Sequence, residues 1–196
     1  EFMAGVLTSI MDKTDKIPVY IQLCRQMKIK ILPPDINSSV ATFGIEGDAI
    51  RFGLAAVRNV GENAIASMER VRAEGGKFRS LVDFCARVDM RTLNKRAIES
   101  LIKCGAFDSI GMERNQLLAA LDAAMQDAAR RQRDLISGQI GLFGQDTMEE
   151  VQQIQISSDV PPSTARERLT WEKEATGFYI TGHPLDDYSD TLACLL

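Results

Sequence analysis

Arg58, Asn59, Val60, Gly61 and Asn63 fall in the stretch LAAVRNVGENAIASMERV, where a short apolar piece, a tight break and an amphipathic helix follow one another. That order has the form of a helix-hairpin-helix and suits phosphate. A turn that opens a helix presents unpaired N–H groups at the positive end of the helix dipole, and glycine lets another backbone come close. Arg58 could add a charged contact. Asn59 stands where such turns often carry another glycine, and asparagine is the residue besides glycine that best tolerates left-handed backbone. Taken alone, the stretch reads more readily as a helical corner whose glycine serves only the turn.

A second stretch, GQIGLFG at residues 138–144, places Ile140, Leu142 and Phe143 among Arg130, Arg131, Arg133, Asp134, Asp146, Glu149 and Glu150. It has no apolar partner nearby with which to close a core. Elsewhere the chemistry is sparse. His183 precedes Pro184 and reads as a turn residue. No paired aspartates on strands, P-loop or dinucleotide fingerprint is recognisable, so no catalytic or metal-ligating residue is assigned. Cys24, Cys85, Cys104 and Cys194, with one histidine, have neither zinc-site spacing nor a disulfide pattern, which suits a reduced cytoplasm.

The 196 residues carry a net charge of −4, unpromising for a nucleic-acid binder. The average hides an asymmetry: residues 51–104 hold 11 Lys and Arg against 6 Asp and Glu, a local excess of +5. A basic block in an acidic chain points to a confined anionic partner, with a chance excess on a solvated surface as the alternative. The chain has no run of 18 apolar residues and no basic-then-apolar leader pattern, so neither a membrane span nor a signal peptide is expected. Glu rather than Met at position 1 suggests a piece of a longer protein.

The elements that would position these residues are mostly helical. Residues 1–29 read as helices, with Thr14 a candidate N-cap for the second. Pro33-Pro34 break the pattern, making Ile29–Leu32 a short strand, and ATFGIEGDAIRFGL is a hairpin around Glu46-Gly47-Asp48. ENAIASMERVRAEGG is a helix stopped by Gly75-Gly76, and SLVDFCARV a short one capped by Ser80. NKRAIESLIK leads to a second break, Cys104-Gly105-Ala106-Phe107, before the long helix of ERNQLLAALDAAMQDAARRQRDL. This second hairpin is the poorer phosphate site, because Phe107 belongs in the core and Asp108 repels an anion. Residues 136–160 read as a linker. A Ser/Thr-capped helix with Trp171 on its apolar side, a stop at Gly177, a short strand and a Gly-His-Pro turn follow.

EFMAGVLTS, LPPDIN, IRFGLAAVRNVGENAI, FRSLVDFCARVD, NKRAIESLIKCGAFDSIG, NQLLAALDAA, GLFG and EKEATGFYITGHPLDDY together resemble the bacterial DNA polymerase III alpha-subunit family, the family C replicative polymerases. The motifs occur in family order along nearly the whole chain. The resemblance implies a mainly α fold: a tandem helix-hairpin-helix module with a small β-hairpin element and flanking helices. It implies that residues 1–50 end the fingers region and that 51–135 form the tandem module holding duplex DNA. Residues 136–162 would then be a linker, and 163–196 would lead toward an OB-type domain.

The same resemblance implies roles. Arg58, Asn59, Val60, Gly61 and Asn63 would contact the phosphate backbone without sequence preference. Gln139, Ile140, Gly141, Leu142 and Phe143 match a Gln-x-x-Leu-Phe sliding-clamp motif in form and place, and exposed apolar anchors in a polar linker suit a partner's groove. The parent would be a DNA-directed DNA polymerase using magnesium, acting in the cytoplasm with the clamp and other replicase subunits and with no membrane partner. Its metal-binding aspartates would lie upstream, so this segment has no cofactor of its own and is expected to be inactive alone. An error-prone paralogue is disfavoured, because such proteins generally lack the clamp motif. The alternative from another class is a stand-alone helix-hairpin-helix accessory or repair scaffold.

Overall fold

Caps and breaks in the sequence set the helices. Ser80 Oγ accepts the Asp83 N–H at 3.0 Å and opens α4 (Leu81–Arg87), and Asn94 Oδ1 accepts the Ala97 N–H at 2.9 Å and opens α5 (Lys95–Lys103). Thr164 and Glu167 form a reciprocal capping box at the start of α7 (Ala165–Thr176), and Gly177 ends that helix in left-handed backbone. The computed structural model describes residues 1–11, 13, 16–136 and 160–185. Those residues are mainly α, with a helix-hairpin-helix arrangement and one small sheet.

The remaining helices are α1 (Phe2–Ser9), α2 (Ile17–Gln26), α3 (Glu62–Gly75) and α6 (Arg114–Ile136). Strands β1 (Lys30–Leu32), β2 (Gly44–Glu46) and β3 (Ala49–Arg51) form a sheet in the order β1-β3-β2. β2 and β3 are the antiparallel hairpin expected around Gly47, with Ile45 opposite Ile50. β1 lies parallel to β3 on its other side, with Ile31 opposite Ile50. The boundary expected after residue 50 falls inside β3.

One continuous core runs from Met3 to Ile180. Two aromatic groups mark it. Phe43, Phe52 and Phe178 stack with centroids 4.8 and 5.4 Å apart, and Phe78, Phe84 and Phe107 at 4.9 Å each. Phe107 is fully buried, as its place in the second break predicted. Phe178 brings the segment after α7 onto the sheet side of the core, next to Phe52.

The structure corrects three local expectations. Thr14 lies outside the described residues, and α2 begins at Ile17 after Lys16 with no side-chain cap; Pro18 in its first turn has no N–H to satisfy. Residues 178–181 are not a strand. Their backbone is held by side chains instead: Arg25 donates to the Tyr179 and Ile180 carbonyls at 3.0 Å, and Glu172 accepts the Ile180 and Thr181 N–H groups at 2.9 and 3.0 Å. Trp171 is only half-buried; the inward face of α7 is Glu172, Ala175 and Thr176. His183 does sit in the expected turn, its Nδ1 accepting the Leu185 N–H at 3.2 Å. No helix among the described residues is long and apolar enough to cross a membrane.

Candidate nucleic-acid interface

Hairpin one is the path from the 3-10 turn Leu54–Ala56 through residues 57–61 into α3. The reversal happens at Asn59, whose φ is +65°, in the left-handed region its residue type tolerates. Its side chain then fixes the turn: Nδ2 donates to Ser100 Oγ on α5 at 2.9 Å. Val60 is buried, so only its backbone can face a partner. Gly61 is the N-cap of α3 with φ −84° and ψ 158°, extended backbone open to any residue. A side chain at Gly61 would meet nothing within 4 Å. The glycine is therefore demanded neither by the turn nor by internal packing.

Gly61, Glu62 and Asn63 are exposed, and their N–H groups make no hydrogen bond among the described residues. They are the orphan donors of the α3 N-terminus, at the positive end of its dipole. Glu62 opposes an anion there, because its carboxylate occupies the same first turn. Arg58 is exposed, but its Nη1 donates to the Glu174 carbonyl at 3.2 Å, and its backbone N–H to the Ala175 carbonyl at 2.8 Å. It holds the C-terminal end of α7 as well as flanking the turn.

Hairpin two, between α5 and α6, is closed where hairpin one is open. Gly105 has φ +86°, and a Cβ there would run into the Arg114 guanidinium and the Asp108 carboxylate. Arg114, 3% exposed, donates to Asp108 through Nε at 3.0 Å and Nη2 at 2.7 Å, and to the Lys103 carbonyl at 3.0 Å. Its Nη1 lies 3.5 Å from Oε1 of Glu172, which is fully buried. Burial alone would push the Arg114 guanidinium down; the hydrogen bonds and charge of Asp108, with the charge of Glu172, outweigh that and hold it above its ordinary value. The protein's own ion pair occupies the side of the turn toward which a Gly105 side chain would point, and it sets the half-exposed Asp108 carboxylate where it repels a phosphate.

Most of the basic excess in 51–104 is likewise engaged internally. Arg51 reaches the Pro33 carbonyl and Glu46, Arg72 the Ile36 and Ser39 carbonyls, and Arg87 the Val71 and Gly76 carbonyls. Arg70, Arg91, Lys95 and Lys103 pair with Glu74, Asp89, Asp122 and Glu174. Lys77, Arg79 and Arg96 are exposed and make no side-chain hydrogen bond or ion pair among the described residues. Sequence reasoning passed over Arg96, Ser100, Arg114 and Glu172. The helical period did carry a signal for Glu172, which falls in line with Leu169, Ala175 and Thr176. Gln139, Ile140, Gly141, Leu142 and Phe143 lie outside the described residues.

Comparison with known proteins agrees with this geometry. The family model described as "Helix-hairpin-helix motif" matches residues 28–117, which takes in the sheet, hairpin one, hairpin two and the start of α6. The chain is 41% identical over 191 residues to the DNA polymerase III subunit alpha of Vibrio cholerae, covering 96% of this chain and 16% of that protein. It is 42% identical to the same subunit of Deinococcus radiodurans, covering 96% of this chain and 14% of that protein. To the Escherichia coli subunit it is 40% identical, with 96% of this chain and 16% of that protein covered. The chain thus spans about a sixth of the length of the curated relatives it matches, and it fits a segment of the DNA polymerase III alpha subunit.

Proposed function

We propose that this segment of the DNA polymerase III alpha-subunit family holds duplex DNA by its phosphates and tethers its parent to a sliding clamp during template-directed DNA synthesis. The observation that carries the DNA part is Gly61. It is a glycine that neither backbone dihedrals nor packing requires, and its own N–H is one of three unbonded at a helix N-terminus. A missing side chain at such a place is explained by a partner's backbone approaching closely. Contacts of this kind read no base edges, so binding is independent of sequence and falls with salt.

The test is Gly61→Val. The site is open and its φ suits a branched residue, so the variant keeps the wild-type circular dichroism; valine is a poorer N-cap than glycine and lowers the melting point slightly, while duplex affinity falls at least about tenfold. Undiminished affinity would leave hairpin one a merely structural corner.

The clamp part rests on Gln139, Ile140, Gly141, Leu142 and Phe143 and their match to the family motif. Gln139 would hydrogen-bond the groove rim, and Leu142 and Phe143 would fill its pocket. Each buried side chain is worth roughly 1.5–3 kcal/mol, so Leu142→Ala with Phe143→Ala weakens clamp binding by at least about a hundredfold. Lost thermal stability with clamp affinity intact would make the two residues part of the fold instead. Polymerisation itself, with magnesium held by carboxylates, belongs on this reading to parts of the parent outside these 196 residues.

A further inference from the structure

Hairpin one, on the reading just given, has donors and a single cation at its turn, Arg58, which is partly committed to the end of α7. Glu62 places a carboxylate there, and the Arg58 guanidinium lies 3.2 Å from the Glu174 carbonyl. We propose that Arg96, on α5, supplies a second charge that offsets Glu62, so that turn 59–63 and the first turn of α5 form one phosphate-binding surface for duplex DNA. The inference deepens the DNA reading above and depends on it.

The link between the two elements is the hydrogen bond from Asn59 Nδ2 to Ser100 Oγ at 2.9 Å, which seats the turn against α5. Arg96 precedes Ser100 by four residues and so lies on the same face, one turn of about 5.4 Å back along the axis. Helical side chains lean toward the N-terminus, so the Ser100 hydroxyl that receives Asn59 leans toward the level of Arg96. Arg96 is exposed and has no hydrogen bond or ion pair among the described residues.

The neighbouring cations are placed otherwise. Lys95 is drawn toward α6 by Asp122 at 2.6 Å, and Lys103, on the far side of Ser100, is neutralised by Glu174 at 2.7 Å. Arg96 is thus the cation of α5 left available beside hairpin one. A planar guanidinium also suits phosphate, which it can grip through two N–H groups.

The experiment measures binding of the 196-residue chain to a mixed-sequence duplex by fluorescence anisotropy over a range of salt. Arg96→Ala is expected to lower the slope of log affinity against log salt by about one unit and to weaken low-salt binding about five- to tenfold. Arg96→Lys should keep the slope. Lys95→Ala removes the same charge from the adjacent residue and should leave it unchanged. A wild-type slope in Arg96→Ala, or an equal fall in Lys95→Ala, overturns the proposal, the latter because only net charge would then matter. If Gly61→Val weakens binding while Arg96→Ala does not, this inference alone fails. If the wild-type chain does not bind duplex at all, the reading it rests on fails with it.

Discussion

Asn59 does two separable things: its backbone makes the left-handed reversal, and its amide fastens the turn to Ser100. Left-handed backbone costs an ordinary L-residue about 1–2 kcal/mol. Asn59→Ala loses both contributions and is expected to lower stability by about 2 kcal/mol in urea denaturation, whereas Asn59→Gly keeps the turn and loses about half as much. An equal loss in the two variants would assign the whole effect to the side-chain bond. Glu172 is the more consequential residue. It is buried among the Ile180 and Thr181 N–H groups, the Thr181 hydroxyl and Arg114. Glu172→Ala leaves the Ile180 and Thr181 donors without this acceptor and Arg114 with Asp108 as its one carboxylate partner, a change expected to cost about 3–5 kcal/mol by the same measurement. A loss under about 1 kcal/mol would mean that water replaces the carboxylate freely.

The elements divide by how local their causes are. α4 and α5 are specified almost within their own sequences, by Ser80 and Asn94 as caps and by apolar residues at helical spacing. Asn94→Ala should cost about 1 kcal/mol, read as a lower urea midpoint with an unchanged slope. If α5 also presents Arg96, that fraying should weaken duplex binding in parallel. The two hairpins differ for a reason no local signal holds. Each break carries a glycine, but Gly105 backs onto Arg114 and Asp108 while Gly61 faces open space. Arg114 lies nine residues beyond Gly105, and the Glu172 beside it comes from another helix. That Asp108 disfavours phosphate at hairpin two follows from its residue type and place in the chain; the ion pair that fills the turn does not.

For the whole molecule, the segment that returns after residues 137–159 matters more than its polar sequence suggests. It places Phe178 on Phe52, Glu172 by Arg114, and the α7 carbonyls of Glu174 and Ala175 on Arg58. The shared core also buries the Cys85 and Cys104 thiols, and burial pushes each up to about 12. The folded state then keeps protons that the unfolded state releases above its thiol value of about 9. Stability should be full below about pH 9 and fall as pH rises toward 12, by about 1.4 kcal/mol per thiol per unit. Urea midpoints measured between pH 8 and 11 check this. A Cys85→Ala, Cys104→Ala variant should start lower, for the lost packing, but show the flatter profile; parallel profiles would place the pH dependence elsewhere.

The sequence by itself determined the mainly α composition, the β-hairpin at Gly47, the stop at Gly75-Gly76, the cap at Ser80, the burial of Phe107 and the left-handed turn at Asn59. Each depends on a few adjacent residues whose backbone preferences or periodic apolar faces act over one or two turns. The similarity to a polymerase subunit was legible too, because motif order survives in the chain. Tertiary structure decided which cations remain available. The excess of +5 in residues 51–104 reads as a basic patch until Arg51, Arg72 and Arg87 are seen bound to carbonyls and Lys95 and Lys103 to carboxylates of other helices. Charge along a chain adds up without regard to distance, whereas direct hydrogen bonds to a phosphate need donors that reach it and that nothing else has engaged, and carboxylates paired with a cation cancel its pull.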